Sequence, residues 1–396
     1  MANVLIISAL QVFPPVSGGN YRTAMIAEGL AAYGHSIRVH SLIGRKHDMI
    51  RGKPRGTAKI SERVTESVQR PKGLWLEAML SYKRNRPPFW ATKALNNPST
   101  HLKSDAEWAD TIIFDFPFSF CDIAKPHQLT ILNTHNIEAN IFNVLADQQK
   151  NTSIKVSEQE IHTLNNVNLV CCSSFEELTY FSAAAKTQRF IIVPNCVDRS
   201  RFQDLSIQRE RVRYQIGLHA QTRALLFPAS RYAPNQEGFD FLSNFAERNF
   251  ALLDNLDLTL VVTGSVTKKA LNAGRLIATG PVPEIEPYFR AADWGLNPIF
   301  KGSGTSIKVA EMIAAELPLL TTTVGSRGFD LTNREDAIFF DRETFAETLK
   351  TLPITHLSLR KMTSQAAFKN ARYFDPNLAV ESLHHAIDHS FRVIRS

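Results

Sequence analysis

Two Rossmann-like α/β domains, each doubly wound about a parallel sheet, are the architecture this sequence predicts. Three observations lead there. At 396 residues the chain is too long for one compact core and suits two. Short apolar, β-branched runs alternate with helix-length stretches from end to end, the signature of parallel sheets with crossover helices. Glycine-bearing turns stand at several of the strand-to-helix junctions, where open α/β sheets place their ligands.

The elements follow in order. Residues 4–8 read as a first strand. Gly18 and Gly19 turn the chain, and Asn20 is placed to cap a helix that runs to Tyr33 and closes at Gly34. Residues 36–42 alternate as a second strand. Residues 111–114, 130–132 and 169–172 add further strands, with a helix over 158–169. A second run opens near Arg189 with a strand at 190–193. It continues through strands at 224–227, 258–262 and 276–280 and a helix near 238–245. Residues 377–396 form a separate amphipathic helix. The expected divisions are 1–185, 186–375 and 376–396.

Composition narrows the class. A hydrophobic content of 44% with 21% charged residues is that of an ordinary globular protein, not a disordered or fibrous one. The four cysteines, Cys121, Cys171, Cys172 and Cys196, have neither Cys-x-x-Cys nor zinc-ligand spacing, so reduced thiols in the cytoplasm are expected. The apolar N-terminus has no basic lead or cleavage site and reads as a strand, not a signal peptide. No apolar run is long enough to span a bilayer. Net charge is +7, yet residues 45–86 alone hold twelve Lys or Arg against four Asp or Glu. Interleaved Trp75, Tyr82, Phe89 and Trp90 make this segment a candidate contact for an anionic membrane surface or an acidic acceptor. As a solvated insertion it would look the same. No nucleic-acid recognition motif accompanies the charge.

The richest stretch is 297–325. It reads as strand, glycine loop, helix and strand. Gly302 and Gly304 break a short β run ending at Phe300, a helix starts at Thr305 or Ser306, and Pro318 stops it before a strand at 319–324. A helix N-terminus beside a glycine loop holds phosphate, because free N–H groups and the helix dipole both point at the anion. Lys308 adds a full charge in the first turn. Glu311, three residues on, shares its face. One cation for phosphate and one carboxylate for a sugar hydroxyl suit a nucleotide-sugar site, although the two could equally form a surface pair.

This segment resembles the donor-binding motif of the retaining glycosyltransferases of family 4, the group 1 transferases, which have the GT-B fold. The resemblance implies two Rossmann-like domains facing a cleft, with the C-terminal helix crossing back to the N-terminal domain. It implies that Glu311 binds the ribose hydroxyls. The family's first glutamate is replaced here by Ser303, within a Gly-Ser-Gly-Thr variant that would present Ser303, Gly304 and Thr305 to the donor. Four further segments extend the likeness. The turn 14–22 would bring Gly18 and Gly19 against the donor phosphates, with Arg22 on the acceptor side. In Asn133-Thr134-His135-Asn136-Ile137-Glu138, His135 would bond the donor sugar, and Glu138 would lie near the acceptor or orient the histidine. In the turn 228–238, Arg231 would hold the diphosphate in a fork of two donors. Glu237 stands where the family often has lysine, which leaves Lys308 as the second cation. Backbone groups around Val282 would meet the nucleobase.

The implied reaction is transfer of a sugar, with retention, from a nucleotide-diphosphate sugar to a glycan or lipid-linked acceptor in surface polysaccharide or glycoconjugate synthesis. His135, Arg231, Lys308 and Glu311 carry the chemistry. No Asp-x-Asp motif is present, so no metal and no other cofactor is expected. The alternatives are a sugar-nucleotide epimerase and a non-catalytic nucleotide-sugar-binding protein. The enzyme is expected in the cytoplasm, peripheral to the inner face of the membrane through residues 45–90.

Overall fold

The structure, a computed structural model, describes residues 1–15, 18–43, 56–69, 74–83, 86–140, 150–185, 189–202, 208–302, 306–353 and 355–395, without the side chains of residues 75, 79, 82, 83, 150–152 and 391–395. It divides into two units, Met1–Cys196 with Pro376–Ser396, and Val197–Asp375.

The first unit is built on β1 (Asn3–Ser8), β2 (Ser36–Ser41), β3 (Gly56–Lys59), β4 (Val64–Val68), β5 (Thr111–Asp115), β6 (Leu129–Asn133), β7 (Leu169–Cys172) and β8 (Arg189–Ile192). Their order in the sheet is β3-β4-β2-β1-β5-β6-β7-β8, parallel throughout except for the β3–β4 hairpin. Helices α1 (Gly18–Ala32), α2 (Trp75–Lys83), α3 (Phe89–Leu95), α4 (Thr100–Trp108), α5 (Lys150–Asn165) and α6 (Phe175–Ala184) cover it. Both faces are buried, because alternate residues of β1 serve different cores. Leu5 and Ile7 pack with Phe114, Leu132 and Trp90, while Val4 and Ile6 pack with Ile26, Leu30 and Val39 on the α1 side. This is why the strands read as continuous apolar runs.

Several expectations change here. Asn20 is not the cap of α1, because the helix already begins at Gly18, and the Asn20 side chain donates instead to the Gln11 carbonyl at 3.2 Å. The strand that opened the second run in the sequence is β8, the last strand of the first sheet, paired with β7. Part of the basic segment is not an insertion, since β4 adds in parallel to β2. Glu66 within it is 2% exposed and accepts from the N–H groups of Val12 and Phe13 and from Ser41 Oγ. Trp90 is a core residue and is not available to a membrane.

The second unit repeats the plan with β9 (Arg223–Pro228), β10 (Leu258–Thr263), β11 (Leu271–Ala273), β12 (Leu276–Ala278), β13 (Trp294–Asn297), β14 (Leu319–Thr321) and β15 (Ile338–Phe339). The sheet order is β11-β12-β10-β9-β13-β14-β15, and only β11 runs antiparallel. Its helices are α7 (Gln208–Gln215), α8 (Ala233–Arg248), α9 (Phe250–Asn255), α10 (Glu286–Ala291), α11 (Ile307–Ala314), α12 (Phe345–Lys350) and α13 (His356–Lys369). Leu225, Phe227 and Leu296 face one core, and Leu226, Val261 and Leu319 face the other. The strand at 297–300 begins and ends earlier than read, as β13.

The C-terminal helix, α14 (Pro376–Arg395), returns to the first unit and packs on α1. Val380, Leu383 and Ile387 join the core beneath α1. A Cβ on Gly29 would stand 2.8 Å from Val380 Cγ2, so a glycine is what lets the two helices meet this closely.

Candidate functional site

Each sheet has one point where the chain reverses its winding: between β1 and β5 in the first unit, and between β9 and β13 in the second. Open α/β sheets bind ligands beyond the strand C-termini at that point. The residues singled out in the sequence gather at both.

In the first unit β1 ends at Ser8, β5 at Asp115 and β6 at Asn133, and the register sets Ser8 and Asn133 opposite Asp115. Asp115 is 6% exposed and fully engaged. Ser8 Oγ donates to Oδ2 at 2.9 Å, and Thr23 Oγ1 and Asn133 Nδ2 each donate to Oδ1 at 2.8 Å. His135 Nε2 lies 2.7 Å from the same Oδ1. Burial alone would raise the Asp115 pKa. The His135 charge and these hydrogen bonds outweigh it and hold the carboxyl below its usual range. A carboxylate needs a donor, so Nε2 carries the proton and Nδ1 is left for a ligand. Nδ1 looks toward the first turn of α1, where a Cβ on Gly19 would approach it to 3.2 Å. The ring also meets Phe116 edge-on at 5.6 Å, on a residue held at φ 92°.

Arg22 is placed differently from its expected role. It is 2% exposed and turned inward, donating through Nε to Asn133 Oδ1 and the Thr134 carbonyl at 3.0 Å, and through its terminal nitrogens to Val193 O, Cys171 O and Asn195 Oδ1. It ties α1 to the ends of β6, β7 and β8, and so fixes the backbone that carries His135. Glu138 does not orient His135. It is 3% exposed, its main-chain N–H donates to Glu160 Oε1 at 2.7 Å, and burial beside that second carboxylate pushes its pKa well up. Burial likewise raises Glu160 to about 7.

In the second unit β9 leads through Pro228, Ala229 and Ser230 into α8. Gly264 (φ 121°) is required beside this turn, since a Cβ there would lie 2.6 Å from the Ala229 carbonyl oxygen. Tyr232 precedes α8 without capping it by its side chain, so the first turn, apart from Pro234, which has no N–H, offers N–H groups to an anion. Lys308 of α11 points to the same place. Its Nζ donates to Asn235 Oδ1 at 2.5 Å and lies 4.7 Å from the centre of the Phe227 ring. Asn235 is itself held by bonds to Ser230 O and Oγ at 2.9 and 3.1 Å. Burial pushes the Lys308 ammonium down to about 7. Arg231 sits in the turn with an exposed side chain. Glu237 is turned aside into a pair with Arg342 at 2.6 Å.

Glu311 follows Lys308 one turn on, but its partner is Arg201 at 3.4 Å, which also grips Glu286 at 2.6 Å. Burial raises the Glu311 pKa, with Arg201 opposing. Val282 lies half-buried in the turn after β12, just beyond Gly280 (φ 70°). Gly18 stands at the N-terminus of α1. Ser303, Gly304 and Thr305 lie outside the described residues. Three groups escaped sequence reasoning. Asp115 was signalled only by an acid directly after an apolar strand, Asn235 by an amide in the first turn of a helix, and Arg201 by nothing local.

Comparison with known proteins gives this arrangement a family context. Residues 222–353 match the family model described as glycosyl transferases group 1. No curated protein sequence matches the chain. Solved structures are similar over nearly the full length. Sucrose-phosphate synthase from Thermosynechococcus elongatus has a TM-score of 0.66 at 13% identity, covering 99% of both chains. Anabaena Alr3699/HepE, in complex with UDP and glucose, has a TM-score of 0.66 at 12% identity, covering 98% of this chain and 100% of that one. WaaG, a glycosyltransferase involved in lipopolysaccharide biosynthesis, has a TM-score of 0.61 at 17% identity, covering 97% and 99%. At these identities the structures establish the fold, which is GT-B, and the family match makes 222–353 a group 1 glycosyltransferase domain.

Proposed function

We propose, from a chain that carries a group 1 glycosyltransferase domain in a GT-B fold, that it moves a sugar with retention from a nucleotide-diphosphate sugar to a glycan or lipid-linked acceptor. The observation that carries this reading is the cluster at the end of β9. Lys308 reaches Asn235 in the first turn of α8, the N-terminus of that helix has no side-chain cap, and Arg231 stands exposed in the turn that leads into it.

The difficult event is departure of a diphosphate from an oxocarbenium-like carbon. Lys308 and the α8 N–H groups stabilise the charge that develops on the leaving oxygens, and Arg231 adds a mobile fork of donors. Asn235 holds Lys308 in place before the donor arrives. Glu311 takes the ribose hydroxyls once Arg201 shares it. Val282 supports the base through its backbone, and Ser303, Gly304 and Thr305 complete the donor loop. In the first unit Asp115 fixes the His135 tautomer, and His135 offers Nδ1 to a sugar hydroxyl. Gly18 and Gly19 keep the first turn of α1 open to the phosphates. Arg22 acts on the acceptor side through the backbone it clamps. Glu138, buried beside Glu160, shapes the same region. The departing phosphate takes the acceptor proton, so the mechanism needs no metal.

The HepE structure holds UDP and glucose, so UDP-linked hexoses are the first donors to try. The test is thermal stability against UDP-, GDP-, ADP-, CMP- and TDP-sugars, for wild type, Arg231→Ala and Lys308→Ala. Native-state binding raises the melting temperature. A shift with one nucleotide family that both variants lose supports the reading, and a shift unchanged in both removes the donor site from β9. Product formation with an anomerically pure donor then separates transfer from binding alone. The proposed location is the cytoplasm, with peripheral contact at the membrane through residues 45–90, where Leu76 and Leu80 remain exposed.

A further inference from the structure

We propose that the first unit holds a divalent transition-metal ion, of which Zn²⁺ is the best match, between β2 and α4, apart from the residues assigned to transfer. The ligands are His40, His101 and Asp105. Their ligand atoms lie within 4.8 Å of one another.

The site is built from two elements. His101 and Asp105 stand four residues apart on α4, so the helix presents both on one face. Their target is the buried side of β2, where His40 is 0% exposed. His40 Nδ1 lies 3.3 Å from Asp105 Oδ2, and His101 Nδ1 lies 3.0 Å from that same oxygen. A tetrahedral zinc with bonds of roughly 2.0–2.2 Å separates neighbouring ligand atoms by about 3.3–3.5 Å. The two distances to Asp105 Oδ2 therefore lie within tenths of an ångström of that separation, and the two histidine ligand atoms lie within 4.8 Å of each other. Two imidazoles and one carboxylate select a borderline metal over Mg²⁺ or Ca²⁺, which take oxygen ligands.

The surroundings fit. Asp105 Oδ1 accepts from Arg38 Nη1 at 3.0 Å, and Arg38 is stacked over Trp108 at 4.0 Å, so the carboxylate is oriented and Oδ2 is left to face the histidines. Asp105 Oδ2 favours the proton on His40 Nδ1 in the metal-free protein, and His40 Nε2, buried without a hydrogen-bond partner among the described residues, takes that proton when Nδ1 binds the ion. His101 is about half exposed and gives solvent a path to a fourth, water-filled position. The ion would join the β2 edge of the sheet to α4, and its binding energy would add to the stability of this unit.

The experiment uses full-length protein dialysed against EDTA. Zn²⁺ is titrated calorimetrically, Co²⁺ is added to read the ligand field of a tetrahedral site, and the melting temperature is measured with and without Zn²⁺. Wild type should take one equivalent, develop the tetrahedral cobalt bands and melt higher with zinc. His101→Ala lies at the surface and should fold normally, yet bind about 100-fold more weakly or worse, since even an outer-shell partner is worth about 10- to 100-fold. Asp105→Asn should behave likewise. His127→Ala, an exposed histidine elsewhere on the unit, should bind as wild type does. Absence of stoichiometric binding by wild type, or binding undiminished in His101→Ala, overturns the proposal and leaves the three residues as a hydrogen-bonded tie.

Discussion

Lys308 gives the sharpest test of the donor site. Burial sets its pKa at about 7 in the free protein, so at pH 7 half of the molecules carry the ammonium. A diphosphate placed beside Nζ favours the charged form, and donor binding then takes up a proton. Only the charged fraction is competent, and apparent affinity scales with that fraction. The fraction falls from about one half at pH 7 to about one hundredth at pH 9, so the nucleotide Kd should rise roughly 50-fold over that range. The nucleotide itself adds little to this trend, because the second ionisation of a phosphate, with a pKa of about 6, is already about 90% complete at pH 7. Lys308→Arg keeps its charge at every pH used and should show a flat profile. Lys308→Met should bind about 10- to 150-fold more weakly at pH 7, the worth of one charge-assisted hydrogen bond of about 1.5–3 kcal/mol. Calorimetry in buffers of different ionisation enthalpy reads both Kd and proton uptake. A wild-type Kd that is level from pH 7 to 9, or a Lys308→Arg profile as steep as wild type, would refute the reasoning.

Other predictions follow from single observations. Asp115→Asn should lower the transfer rate by about 10²- to 10⁴-fold, while nucleotide affinity, read by calorimetry, stays within about twofold, because Asp115 orients His135 and not the diphosphate ligands. Gly19→Ala should cost activity through crowding of His135 Nδ1. The same change should leave the melting temperature equal or higher, since alanine in a helix gains up to about 1 kcal/mol over glycine. Gly264→Ala should destabilise the second unit by about 2–4 kcal/mol in urea unfolding, from a left-handed φ and a clash with Ala229 O. His35 is buried, accepts from Ala2 N–H at 3.1 Å and meets His384 Nδ1 of α14 at 2.9 Å, and burial lowers its pKa to about 4. A histidine depressed in this way contributes stability above its unfolded pKa of about 6.5 and loses it as pH falls toward 4, by up to about 3 kcal/mol. Urea unfolding at pH 7.5 and 4.5 should show this loss in wild type, and His35→Gln should reduce it.

Much of the fold was readable because both sheets are buried on two faces. The strands at 4–8, 111–114, 258–262 and 276–280 are near-continuous apolar runs bounded by glycine or polar residues, and all are present. The errors sit where local pattern and tertiary pairing part. β8 carries no mark of which sheet it joins, and hydrogen bonding to β7 assigned it to the first. The hairpin of β3 and β4 was hidden by its charge, since β3 is an exposed edge. Asn20 looked like a cap because glycines rarely begin a helix. Gly19 leaves space there beside His135.

The site divides in the same way. Sequence alone named the candidates and their local placement: Lys308 and Glu311 one helical turn apart, Arg231 in a turn after a strand, and His135 at a strand end. Their order and spacing follow from helix and strand periods, which are local. Partnership is not local. Asp115 behind His135, Asn235 beneath Lys308, Arg201 between Glu286 and Glu311, and Arg22 folded inward all join residues 20 to 173 positions apart. Only the sheet registers and the helix packing on them bring such groups within hydrogen-bonding distance, and burial then decides which of them are charged.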